Sequence, residues 1–203
     1  MSLVVWILLG VVVLFLLYGI VTYNRLVTLR NRIENAWAQI DVQLQRRHDL
    51  IPNLVETVKG YASHEAATLE AVVQARNMAM SAQGPAQQGQ AENLLTGALK
   101  SVFALSEAYP DLKANTSFLQ LQEELSATEG KIAYARQFYN DVVNRYNTLT
   151  QTFPSVIVAN LANFDEREYF ETDDAGRQNV QVSFGNTPAT PPPAAPPASA
   201  PPV

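Results

Sequence analysis

Cysteine is absent from the 203 residues, and only two histidines and nine glycines are present. Without a thiol the chain forms no disulfide and has no cysteine nucleophile, and lipoprotein processing and S-acylation are excluded with it. His48 and His64 are too few for most acid–base schemes, which leaves carboxylates as the remaining candidates for such work. No glycine loop of the phosphate-cradling kind is found. Basic clusters are missing too. Nothing exceeds the Arg46-Arg47 pair, and the net charge is −5. Nucleic acid is therefore not an expected partner, because phosphate binding needs a concentrated basic face.

Metal-binding patterns fail one by one. His64-Glu65-Ala66-Ala67-Thr68 starts like a zinc-protease helix, but the metal needs histidine at both i and i+4, and position 68 is threonine. A di-iron bundle needs Glu-x-x-His, and the residues three before His48 and His64 are Gln45 and Tyr61. No metal, cofactor or catalytic residue is expected on these grounds.

Proline is scarce where helices would form. Only Pro52, Pro85, Pro110 and Pro154 precede residue 187, and the rest lie in a tail, 187–203, of Thr, Pro, Ala, Ser and Val alone. Such a segment has too little apolar surface to bury a core and reads as disordered.

What is present begins with an apolar run. Leu3 to Val21 contains no charged residue, no Asn, Gln or His, and no proline. As a helix it is about 28 Å long, matching the ~30 Å hydrocarbon core of a bilayer. Nothing basic precedes it, it exceeds a signal-peptide core, and Thr22-Tyr23-Asn24-Arg25 follows, so it reads as an uncleaved single-pass anchor. Arg25, Arg30 and Arg32 flank its C-terminal side against no charge at Met1-Ser2, which favours a body facing the cytoplasm.

Downstream, apolar residues recur at helical spacing. Leu26, Leu29, Ile33, Trp37, Ile40 and Leu44 form one stripe, expected to run to about Asp49. Pro52 then predicts a reversal within Arg46 to Pro52 and a second helix from about Leu54 to Ser81. A third is expected from about Gln87 to Ala108, and a fourth, capped by Asn115 or Thr116, runs to Phe153-Pro154. The expected fold class is all-α, an N-terminal transmembrane helix followed by an antiparallel up-down bundle of four long helices. The expected division is an anchor at 1–22, a bundle at 23–154, a short amphipathic or irregular extension at 155–186, and the tail at 187–203. Val156-Ile157-Val158, Leu161 and Phe164 could fold over the bundle or lie in the membrane interface.

The stretches Ala36-Trp37-Ala38-Gln39-Ile40-Asp41, Arg46-Arg47-His48-Asp49-Leu50-Ile51-Pro52-Asn53-Leu54 and Ala108-Tyr109-Pro110-Asp111-Leu112-Lys113 resemble the LemA family. So do Tyr139-Asn140 and Tyr146-Asn147. The resemblance covers the chain from the anchor to about Phe170. It implies a bacterial inner-membrane protein with a helical-bundle domain, and no reaction.

Arg46, Arg47, Asp49, Glu65, Glu129 and Arg136 are the charged residues singled out, either as ion pairs that set helix register or as a docking surface. With the turn placed at Pro52, Arg46 or Arg47 is expected to pair with Glu107 or Asp111 at the membrane-distal end. Two functions fit. One is a non-enzymatic membrane-anchored scaffold organising membrane or protein partners, self-association included, with the lipid bilayer itself a partner. The other is an enzyme, or a subunit of a membrane-associated hydrolase or protease complex.

Overall fold

The helix that starts in the apolar run does not stop at its end. A computed structural model describes residues 3–170, and in it α1 (Leu3–Lys59) is one uninterrupted rod. Its 57 residues span about 85 Å. The run up to Val21 is exposed along its length and apolar enough to cross a membrane. From Leu26 a buried stripe continues through Leu29, Ile33, Ala36, Ile40, Leu44, Ile51, Leu54 and Val58, in steps of three, four and seven. Arg47 fills the stripe position between Leu44 and Ile51, where an apolar residue would ordinarily stand.

The reversal expected at Pro52 does not occur. Proline removes one backbone donor, which frees the carbonyl four residues earlier, here that of His48. The Arg76 Nε donates to this oxygen at 2.8 Å, from the neighbouring α2 (Ala66–Ser81). The helix thus crosses Pro52 with its orphan acceptor satisfied from outside. The chain turns instead at 60–65, where Tyr61 and Ala62 both donate to Val58 O. The first helix is correspondingly longer than expected and the second shorter.

The remaining elements follow the sequence more closely. α3 (Gly84–Ala108) begins with Pro85 in its first turn, where the missing N–H costs nothing. Gly84 has φ +79, and a Cβ there would stand 3.5 Å from Glu168 Oε2. A one-turn α4 (Pro110–Lys113) fills the next connection. Asn115 then caps α5 (Thr116–Gln151), its Oδ1 accepting from Phe118 N at 2.9 Å. α6 (Ser155–Leu161) is the last helix among the described residues. From Phe164 to Phe170 the chain lies along α5 without regular structure of its own. The fold is all-α, with antiparallel helices packed on one another as expected.

Two apolar cores result. The distal one combines Ile51, Leu54 and Val58 of α1 with residues of α2, α3 and the start of α5, among them Val72, Leu95, Val102 and Phe118. The proximal one joins Leu26 to Leu44 of α1 to Ile132, Tyr139, Val143 and Tyr146 of α5, completed by Ala159 and Phe170. The expected extension at 155–186 is described only to Phe170, where it is α6 and then irregular chain; the rest of it, and the 187–203 tail, lie outside the described residues.

The Pro52 arrangement carries a thermodynamic test. Arg76→Met should cost about 1.5–3 kcal/mol in urea unfolding, as expected for a charged hydrogen bond. In a Pro52→Ala background the new backbone N–H reaches His48 O, so the same substitution should cost clearly less. Equal costs in both backgrounds would show that Arg76 does not complete the helix.

Candidate functional site

Between the two cores lies a layer of buried charge. Glu92 on α3 is 1% exposed and Arg47 on α1 3% exposed, with Arg47 Nη1 3.1 Å from Glu92 Oε2. The other Glu92 oxygen lies 2.8 Å from His48 Nε2 and accepts from Gln88 Nε2 at 3.0 Å. Since an ionised carboxylate oxygen only accepts, Nε2 carries the hydrogen. Arg47 Nη1 also meets Glu129 Oε2 of α5 at 3.0 Å, and Nη2 donates to Thr96 Oγ1 at 2.7 Å. One guanidinium therefore ties α1 to α3 and to α5. These groups answer one another's hydrogen-bonding needs, which is what burial of charge requires. A cleft of about 250 Å³ opens on the outer side of the layer, beside Thr96, Lys100, Gln122 and Ser126.

The six singled-out residues are not one cluster. Arg47 and Glu129 meet in the buried layer. Arg46 pairs instead with Glu124 at 3.5 Å, half-exposed. Asp49 accepts from Gln45 Nε2 at 2.8 Å within α1. Glu65 lies on the distal loop, where its Oε1 accepts from the Tyr109 hydroxyl at 3.0 Å, and that bond raises the Tyr109 pKa. Arg136 is half-buried with its Cζ 4.7 Å from the Phe170 ring centroid; burial lowers its pKa, while Glu129 and Glu92 oppose the shift.

The expected pairing of Arg46 or Arg47 with Glu107 or Asp111 is not formed. Glu107 pairs with Lys113 at 2.8 Å, and the distal end is joined by Asn115 Nδ2 donating to the Tyr61 hydroxyl at 2.8 Å and by Tyr109 with Glu65. The cause is the turn at 60–65, which leaves Arg46 and Arg47 mid-rod. Glu92, Gln88 and Thr96 were not singled out from sequence. A signal existed, since Gln88 and Glu92 share the stripe of Leu95, Leu99 and Val102 on α3.

A second constellation pins residues 164–170. Asn147 donates to Arg167 O and accepts from Arg167 N, both at 2.9 Å. Asn140 repeats the pattern on Phe170, at 3.1 and 2.9 Å. Seven helical residues rise about 10.5 Å, and three extended residues cover about 10 Å, so the two spacings match. The Tyr139 hydroxyl donates to Glu168 O at 2.9 Å between these ties. Burial pushes the Tyr139 pKa up to about 12, with Arg167 lowering it and Glu168 raising it.

A third feature is an open groove of about 650 Å³ between α1 and α5, bordered by Ala38, Val42, Gln43, Gly130 and Tyr134. Tyr134 is 75% exposed and Val42 64%. Gln43 Oε1 is buried at this groove with no hydrogen-bond partner among the described residues.

The LemA family model matches residues 36–184, well over half of the chain. The chain belongs to the LemA family. It is 28% identical to the protein named LemA of Metamycoplasma hominis over 164 residues, covering 79% of this chain and 74% of that one. It is 25% identical to Magnetosome protein MamQ 2 of Paramagnetospirillum magneticum over 191 residues, 81% of this chain and 70% of the relative. Magnetosome protein MamQ of Magnetospirillum gryphiswaldense matches at 25% over 190 residues, with the same coverage. With one membrane-length apolar helix among the described residues, the chain is a membrane-associated LemA-family protein.

Two measurements probe the LemA-family site. Glu92→Ala removes the shared acceptor of Arg47, His48 and Gln88, so urea unfolding should show a loss of about 3–5 kcal/mol, the cost of stranding a buried charge. A loss below about 1 kcal/mol would mean that Arg47 is fully compensated by Glu129. For Tyr139, the folded phenol keeps its proton while the unfolded one loses it near the ordinary value of 10.0. Its contribution is intact below pH 10 and is lost as pH rises through about 12. The stability difference between the native chain and Tyr139→Phe should therefore shrink across that window by about 2–3 kcal/mol. Parallel curves would show that burial does not hold the proton.

Proposed function

We propose that this LemA-family protein is a non-enzymatic, membrane-anchored helical scaffold that presents the open α1–α5 face to a protein partner on the cytoplasmic side. The groove beside Val42 and Tyr134 carries this reading: a large aromatic and a valine stand exposed on two long, mutually packed helices, above an amide oxygen that has no partner among the described residues. Exposed aromatic side chains on a rigid support are the features that anchor protein interfaces. Arg47, His48, Glu92 and Glu129 are engaged with one another in the buried layer. The cytoplasmic orientation rests on Arg25, Arg30 and Arg32 after the apolar run. Two relatives carry the name Magnetosome protein, and none of the three names states a reaction.

A photo-crosslinking residue at Tyr134 or Val42, in cells, should give a discrete heavier product that is absent when the probe replaces the exposed Glu56 at the far end of α1. A product at twice the chain mass would identify a second copy as the partner. Absence of a discrete product at both groove positions would overturn the docking face. Stoichiometric metal or nucleotide retained by the purified chain through dialysis would overturn the non-enzymatic reading.

A further inference from the structure

α6 has two faces of different character. Ser155 and Ala159 are buried against the bundle. The opposite side, with the preceding Phe153, is apolar and open: Phe153 is 81% exposed, Ile157 44% and Leu161 85%. Ile157 and Leu161 are one four-residue step apart on α6 and share its outward face, and Phe153 stands exposed in the turn just before it. In a soluble protein such a face would be an unexplained apolar patch. Its surroundings explain it. A groove of about 370 Å³ runs between α6 and the end of the apolar run of α1, bordered by Phe15, Gly19, Tyr23, Ile157, Val158 and Leu161, with almost no polar atoms on its walls. The Tyr23 and Phe164 rings meet edge to face at 5.6 Å, which fixes α6 to the rod at this level.

The depth of this groove follows from helix geometry. Phe15 lies six residues before Val21, the end of the uncharged run, and therefore about 9 Å inside it. An interfacial helix buries its apolar face about 5–10 Å into the boundary of headgroups and acyl chains. α6 borders residues 15–23, which run from that depth to just past the end of the uncharged run. The acidic residues that follow, Asp165 and Glu166, do not oppose this placement. After Phe164 the chain is drawn along α5 by Asn147 and then Asn140, away from the level of α6.

We propose that α6 is a second membrane contact: Phe153, Ile157 and Leu161 enter the leaflet beside the anchor, and lipid acyl chains fill the groove between α6 and residues 15–23. The body is then attached to the bilayer at two points, which restricts its tilt and swivel about the single span. A lone helix leaving the membrane would leave both free.

The absence of native cysteine allows a direct test. Phe153→Cys, Val158→Cys, Leu161→Cys and Tyr134→Cys each carry a sole thiol for an environment-sensitive fluorophore. The full-length chain is reconstituted into phosphatidylcholine vesicles containing phosphatidylcholine spin-labelled at the fifth acyl carbon. Quenching at positions 153 and 161 should be roughly threefold stronger than at 134, which lies on the groove of α5 far from the lipid. Position 158, facing the groove, should be quenched as well. Quenching at 153 and 161 no greater than at 134 would overturn the membrane contact. Quenching at 153 and 161 but not at 158 would overturn the entry of acyl chains into the groove. Blue-shifted emission without lipid quenching, with self-quenching as labelled chains are added, would mean that a second copy covers α6, and would overturn the proposal as a whole.

Discussion

The buried ion pair between Arg47 and Glu92 is the constraint on which the rest of the bundle depends. Leucine at position 47 would pack equally well against several registers of α1 and α3. A guanidinium in a dry seam does not have that freedom, because a shift of one helical turn, about 5.4 Å, strands the charge. The net stabilisation from such a pair is small, since desolvation offsets most of the attraction. Its effect is discriminatory: alternative packings lose the partner and keep the cost of burial. Arg47 also reaches Glu129 and Thr96, and His48 shares the Glu92 carboxylate, so the same few atoms set α1 against both α3 and α5.

That layer separates two halves built differently. The distal half is a four-helix core in which α2 and α3 cover α1 and the start of α5. Among the described residues, α1 and α5 are the only long helices of the proximal half, and α6 with residues 164–170 supplies what a further helix would otherwise bury. The Asn140 and Asn147 amides make this substitution feasible. A segment outside regular structure leaves its backbone groups unpaired, and each of these side chains offers one donor and one acceptor in the geometry of a peptide. Phe170 at the end of the segment is held against Trp37 and beneath Arg136, whose electrostatics include Glu129, so the proximal strap and the charged layer are neighbours.

The open groove and the outward face of α6 are consequences of the same economy of elements. With only one helix pair in the proximal half among the described residues, one side of it is filled by the strap and, within those residues, another is left open at Val42 and Tyr134. An ordinary up-down bundle of four equal helices would bury both sides.

Local signals in the sequence determined the long apolar rod, the all-α class, the start of α5 at a cap from Asn115 or Thr116, and the end of α3 before Pro110. Each depends on residues within a turn or two of one another: hydrophobic periodicity, a side chain reaching the next backbone N–H, a missing donor. Tertiary structure decided the rest. Pro52 reads as a stop because it lacks the N–H that would reach His48 O; the donor that replaces it is Arg76, on another helix. Arg46-Arg47 read as a distal corner for the same reason, and moved to mid-rod once the helix passed through. Glu92 sits on an apolar stripe, a visible anomaly, but which cation it meets depends on how α3 lies against α1. The Tyr-Asn pairs were recognisable as a repeat, while their pairing with residues 167 and 170 required the chain to turn back along α5. Periodicity is a property of one helix, whereas the partner of a buried charge or an orphan carbonyl is a property of how helices are placed together.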